Sequence, residues 1–276
     1  MRAEHDLDFF CAFFFPHYCT YPFNKFHSDS FEDYRNPKRA IKSVDVAPRG
    51  YAKSTVKALF KPIHDVCYAQ EKFIVLISSN EAQAVGKLKD IRREFLNNDA
   101  LVEYYGVEFE RKNPGETSFT INCGDNQTLF LAAGAGTEIR GLRFGESRPT
   151  KIILDDVEDT EEVNNAEIRE KTRDWYFEVV RQLGSNETNI EIVGTILHRD
   201  SLLKNLEKNP AYKTRIYKSV ISWAENTKLW DEWKKIYTNI DNDLRAKDAE
   251  SFFIANRDAM LKGAEVIWPD KEPYYY

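Results

Sequence analysis

The chain has 276 residues, 42% hydrophobic and 13% aromatic, enough to bury a sizeable core and too much for bulk disorder. Its formal charge is −6, so a protein that wraps nucleic acid by bulk charge is excluded and any such contact must be local. Cys11, Cys19, Cys67 and Cys123 form no CxxC pair and do not cluster with histidines, which reads as reduced thiols of an intracellular protein rather than a zinc site. No apolar run is long enough to cross a membrane. Phe9–Phe15 is short and follows acidic residues, so it reads as a packed helix or an interaction patch, not a signal peptide.

In chain order, residues 1–40 form an aromatic N-terminal segment broken by Pro16, Pro22 and Pro37. Ile41, Val44 and Val46 predict a strand, and Ala47–Thr55 a loop. A helix then carries Val56, Leu59, Phe60 and Ile63 on one face. Phe73–Ile77 is too apolar to be half exposed and suits a parallel strand covered on both sides. Ser78-Ser79-Asn80 offers N-caps for a helix through about Leu96. Ser118–Asn122 and Thr128–Ala132 read as strands around Gly124-Asp125-Asn126, and Lys151–Asp156 as another buried strand. A helix over about Asn165–Leu183 and a strand at Ile190–Thr195 follow. Beyond Trp223 the chain turns helical, polar and Trp-rich. This alternation predicts an α/β fold with a mostly parallel central sheet flanked by helices, with ligands beyond the carboxyl ends of its strands. The expected division is 1–40, a core over 41–223, and a small helical subdomain or linker over 224–276.

Two motifs carry chemistry. The loop at 47–55 keeps the Lys53-Ser54 pair of a phosphate loop between strand and helix, with alanine at both usual glycine positions, Ala47 and Ala52, and glycine at Gly50. Backbone amides and the helix N-terminus would cradle phosphates, Lys53 would reach the β/γ-phosphates, and Ser54 would hold Mg²⁺. Ala52 fits if its φ is negative. The strand at Ile152–Leu154 ends in Asp155, Asp156, Glu158 and Asp159, four carboxylates that repel one another. Asp155 would bind Mg²⁺ through water. Glu158, with Asp156 close behind, would orient or deprotonate the attacking water. The competing reading is an acidic loop capping the next helix.

Together these two motifs mark an additional-strand P-loop ATPase, and further stretches resemble the ATPase domain of tailed-phage terminase large subunits. Pro48-Arg49-Gly50-Tyr51-Ala52-Lys53-Ser54-Thr55 resembles their arginine-bearing phosphate loop. Ile139-Arg140-Gly141-Leu142-Arg143-Phe144 resembles their arginine-glycine motif, Val193-Gly194-Thr195 their coupling motif, and Tyr21–His27 their adenine-side segment. The resemblance implies that ATP hydrolysis powers translocation of double-stranded viral DNA into a procapsid. Arg49 would sense the γ-phosphate, Arg140 would act as a finger on a neighbouring subunit's ATP, Thr195 would couple hydrolysis to movement, and Phe26 and His27 would flank the adenine. Arg143 and Arg148 are alternative fingers. Implied partners are a homo-oligomeric ring, the portal protein and the terminase small subunit, in the host cytoplasm. Residues 224–276 are too few for the family's nuclease, so the chain reads as the ATPase part. Another P-loop nucleic-acid motor, such as a helicase, and a nucleotide-binding module without turnover are the alternatives.

Overall fold

The computed structural model describes residues 2–35, 40–110 and 115–271. They fall into two compact units, Met1–Tyr217 and Lys218–Tyr276.

The larger unit is built on an eight-stranded sheet: β1 (Lys42–Val46), β2 (Phe73–Ser78), β3 (Val107–Phe109), β4 (Ser118–Cys123), β5 (Asn126–Gly134), β6 (Lys151–Asp155), β7 (Asn189–Gly194) and β8 (Lys213–Ile216). Its order is β3-β4-β5-β2-β6-β7-β1-β8. All pairs from β5 to β8 are parallel, and β3 and β4 add an antiparallel edge. β7 separates the strand before the phosphate loop from the strand that ends in acid, as the additional-strand arrangement requires. β2, β6 and β7 are buried along their whole length, which explains their continuous apolar runs.

The two faces of the sheet differ in chemistry. Val44, Val46, Val75, Ile77, Ile152, Leu154, Ile190 and Ile192 form one apolar layer with Trp175, Tyr176, Val180 and Leu183. Those four come from a helix over residues 166–183 that is π-wound at Tyr176–Val180. The opposite face carries Asp45, Glu191 and Lys151. The helix after the phosphate loop, π-wound at Thr55–Phe60 and α-helical at Lys61–Cys67, covers it with Lys57, Lys61 and Asp65. Lys57 Nζ lies 2.6 Å from Asp45 and 2.9 Å from Glu191, Lys61 Nζ 2.9 Å from the same Glu191 oxygen, and Lys151 Nζ 3.2 Å from the other.

Asn80 caps the helix Glu81–Asn97 by accepting from the Gln83 amide, as its sequence predicts. The N-terminal aromatic segment becomes the helix Leu7–Phe14, with Phe10 and Phe14 buried and Phe13 exposed. β3 and β8 were not foreseen: three and four residues long, they lie at the sheet's edges.

The smaller unit pairs Val220–Ser222 with Glu265–Val266 and packs the helices Thr227–Tyr237 and Arg245–Leu261 together. The Trp230 indole donates to the Met260 carbonyl at 2.8 Å, beside buried Phe253.

Candidate nucleotide site

The phosphate loop leaves β1 at the carboxyl edge of the sheet and turns through Gly50 at φ 82°. Ala52 also lies in the left-handed region, at φ 52°, so the condition of a negative φ, under which the methyl fits freely, is not met. The loop bends as though glycine were there, and the alanine Cβ carries a strain of about 1–2 kcal/mol. We therefore expect Ala52→Gly to stabilise the folded protein by ~1 kcal/mol, a rise of ~2–4 °C in melting temperature that calorimetry can read. An unchanged or lower melting temperature would show that the loop absorbs the methyl without cost.

His27 braces the loop from beneath. Its Nδ1 accepts from the Asn24 amide at 2.9 Å, which leaves Nε2 as the protonated nitrogen, donating to the Tyr51 carbonyl at 3.2 Å. His27 is 1% exposed, and Phe26 is fully buried with its ring against Tyr217. Neither is among the residues that line the cleft above.

That cleft, about 360 Å³, is lined by Arg49, Gly50, Lys53, Asp156, Glu158 and Thr195, among others. The Lys53 ammonium, on a side chain only 7% exposed, stands 3.7 Å from an Asp156 oxygen, a loose pair that an anion could displace. Arg49 is exposed and donates to the Thr160 hydroxyl at 3.2 Å. The Thr195 hydroxyl donates to the Ala47 carbonyl at 3.3 Å, tying the end of β7 to the start of the loop. Thr55 begins the π-wound turn behind Lys53 and Ser54.

The four carboxylates do not form one cluster. Asp155 is fully buried, and its Oδ1 accepts from the Ser54 hydroxyl at 3.0 Å. Burial pushes its carboxyl up, and the Lys87 ammonium, 2.7 Å from Oδ2, opposes this. Asp156 sits at φ 50°, held by its amide donating to the Val193 carbonyl and its carbonyl accepting from the Ser79 amide. Its side chain is 44% exposed to the cleft. A Cβ on Gly194 would stand 3.2 Å from Asp156 Oδ1 and 2.9 Å from Leu203 Cδ2, so the bare glycine gives that carboxylate room. Glu158 also lines the cleft, but its oxygens are engaged: they accept from the Leu202 amide at 2.7 Å and the Leu203 amide at 3.4 Å, at the start of the helix Leu202–Glu207. Burial pushes the Glu158 carboxyl up, partly offset by those amides. Asp159 accepts from the Glu161 amide at 2.8 Å.

The donor set fits a hard, oxygen-seeking cation: a serine hydroxyl and a strand-end carboxylate already 3.0 Å apart, the serine directly following Lys53, which lines the cleft. Ser54 and Asp155 would hold Mg²⁺.

The arginine-glycine segment lies after β5, turned by Gly141 at φ 72° and anchored by Ile139 and Leu142 against the core. Arg140 and Arg143 are exposed and make no hydrogen bond or ion pair among the described residues. Arg148 donates to the Gly184 carbonyl at 3.4 Å. None of the three is among the residues lining this chain's own cleft. Lys87 escaped the sequence reading, although a lysine in register with Ala84, Leu88 and Ile91 on a buried helix face was a visible signal.

A mostly parallel sheet with one strand between the phosphate-loop strand and the acidic strand defines the fold of an additional-strand P-loop ATPase. Within that class, the HK97 bacteriophage large terminase is similar over 96% of this chain and 55% of its own, with a TM-score of 0.51 at 15% identity. The chain thus spans about half the length of that protein, and the resemblance to terminase large subunits is borne out at the level of the fold. The Thermus phage P74-26 large terminase ATPase domain also matches, over 75% of this chain and 84% of its own (TM-score 0.47, 12% identity). S. cerevisiae Dbp5 bound to RNA and ADP BeF3 matches over 83% of this chain and 61% of its own (TM-score 0.43, 12% identity). No protein-family model and no curated protein matches the sequence.

Proposed function

We propose that this chain is an ATP-hydrolysing motor subunit that drives double-stranded viral DNA into a procapsid. The observation that carries the ATPase reading is the Ser54 hydroxyl on Asp155 Oδ1, each next in sequence to a residue that lines the cleft, Lys53 and Asp156. The phosphates lie on the backbone of Arg49–Thr55 and the N-terminal turn of the following helix, with Lys53 between the β- and γ-phosphates. Mg²⁺, held by Ser54 and Asp155, offsets phosphate charge when bound.

Both carboxylates expected as base line the cleft; we assign the role to Asp156, whose side chain is 44% exposed there, and make Glu158, its oxygens taken by the Leu202 and Leu203 amides, a strut on that helix. Asp156 accepts a proton from the attacking water as its oxygen bonds to the γ-phosphorus. The bond to the β–γ bridging oxygen breaks, and ADP and phosphate leave. Arg49 senses the γ-phosphate from the loop, and Thr195 couples the end of β7 to that loop. Phe26 and His27 support the adenine side indirectly, through Tyr51.

Arg140, exposed and outside its own cleft, acts on a neighbouring subunit's ATP in a homo-oligomeric ring, with Arg143 and Arg148 as alternates. Portal protein and terminase small subunit complete the partners, in the infected host's cytoplasm. Among the described residues no helix is long and apolar enough to cross a membrane.

Phosphate-release assays test this reading. Lys53→Ala is expected to lower turnover by ~10² or more, the scale of a lost transition-state charge contact. Mixing Arg140→Ala with Lys53→Ala protein should restore part of the activity on assembly, because an arginine in trans is worth ~10³–10⁵ in rate. Undiminished turnover in Lys53→Ala would refute the site. A second reading, nucleotide binding without turnover, draws on the strained Ala52; tight ATP binding with no phosphate release from assembled protein would establish it instead.

A further inference from the structure

We propose that Lys87 is a positioning residue for Asp155, fixing the carboxylate so that Oδ1 faces Ser54 and the cation site; this rests on the nucleotide site proposed above. Lys87 lies on the helix Glu81–Asn97, its side chain 21% exposed. Its ammonium makes three contacts that converge on the end of β6: 2.7 Å to Asp155 Oδ2, 3.0 Å to the Asp155 carbonyl and 2.9 Å to the Ser78 hydroxyl at the end of β2. The Ser54 hydroxyl is 3.0 Å from the other carboxylate oxygen.

The two oxygens of one buried carboxylate are thereby divided. Oδ1 looks toward the phosphate loop, and Oδ2 looks back toward the helix. A carboxylate turns readily about its last torsion unless both ends are held. Ser54 alone holds one oxygen, and the serine hydroxyl itself rotates. The ammonium supplies the fixed end. Its own direction is set by Ser78 and by the Asp155 carbonyl, so neighbouring strand ends and one helix agree on a single carboxylate orientation. Such partners behind a ligand shape metal affinity without touching the metal.

A purely structural ion pair would change melting temperature and leave the cation requirement alone. The discriminating measurement is therefore equilibrium binding of a fluorescent N-methylanthraniloyl ATP analogue, titrated with Mg²⁺ and repeated in EDTA. In Lys87→Met, the Mg²⁺ concentration for half-maximal binding is expected to rise ~10–100-fold, with the affinity in EDTA unchanged within ~2-fold. Lys87→Arg, which keeps the cation, should recover most of the loss. Ser78→Ala, a milder change that loosens the ammonium, should raise the Mg²⁺ requirement in the same direction and serves if Lys87→Met does not fold. An unchanged or lowered Mg²⁺ requirement in a folded Lys87→Met or Ser78→Ala protein overturns the positioning role alone. Wild-type protein that binds no nucleotide, or binds it equally after Lys53→Ala, overturns the nucleotide site and this role with it.

Discussion

Asp156→Asn is expected to lower kcat for ATP hydrolysis by ~10²–10⁴ in assembled protein while leaving nucleotide affinity within a few fold, the signature of a lost general base. Asparagine keeps the size and still tolerates the left-handed backbone that Asp156 occupies at φ 50°. It cannot take a proton from water. Glu158→Gln should behave differently. Its two oxygens serve the Leu202 and Leu203 amides, so the amide side chain gives up a charged acceptor and rotates its NH₂ toward backbone donors. That costs ~1–2 kcal/mol of stability and a modest share of activity through a displaced helix start. Phosphate release, nucleotide titration and thermal unfolding on wild type and these two variants separate the cases. If Glu158→Gln abolishes turnover and Asp156→Asn does not, the roles assigned here are exchanged.

The order of the motifs was legible because each is local: an apolar run, a turn and a few polar residues in register. Phe73–Ile77 and Lys151–Asp155 declared buried strands by composition alone, and Asn80 declared a helix start. What the sequence concealed is where each polar group finds its partner. Asp155, Asp156, Glu158 and Asp159 look like one acidic burst, but pleat and turn send them to Lys87, the cleft, a helix start and a local turn. Lys57 and Glu191 are 134 residues apart, and no local pattern joins them. β3 and β8 are too short for periodicity to register. The φ of Ala52 is not legible from its residue type: side-chain size argues for a negative angle, whereas the path from β1 into the helix takes a positive one.

Glu191→Gln is expected to be the most destabilising single change on the buried charged face, ~3–5 kcal/mol, lowering the melting temperature by roughly 10 °C or more. Glu191 meets Lys57, Lys61 and Lys151 and lies under the helix that follows the phosphate loop. Removing its charge leaves the buried ammonium groups of Lys57 and Lys151, and whatever charge Lys61 carries, short of one carboxylate. Lys61→Met should do the reverse. Burial would push both Lys57 and Lys61 down, but Asp45 and Glu191 outweigh it at Lys57 and hold that lysine above its usual value. Lys61 shares Glu191 while facing the charges of Lys57 and Lys151, and burial prevails, pulling it down to about 7. A lysine whose folded pKa lies below its unfolded one binds fewer protons when native between pH 7 and the usual 10.5. Its contribution to stability therefore rises with pH across that window and is least favourable at and below pH 7. Lys61→Met should be neutral or stabilising at pH 7, since Glu191 keeps Lys57 and Lys151, and this part of the rise toward pH 10 should vanish in the variant. Thermal unfolding of wild type, Glu191→Gln and Lys61→Met from pH 6.5 to 9.5 reads all of this. Equal losses in both variants at pH 7 would mean that every lysine in the network is needed, and that the charges hold the loop helix to the sheet collectively rather than through Glu191.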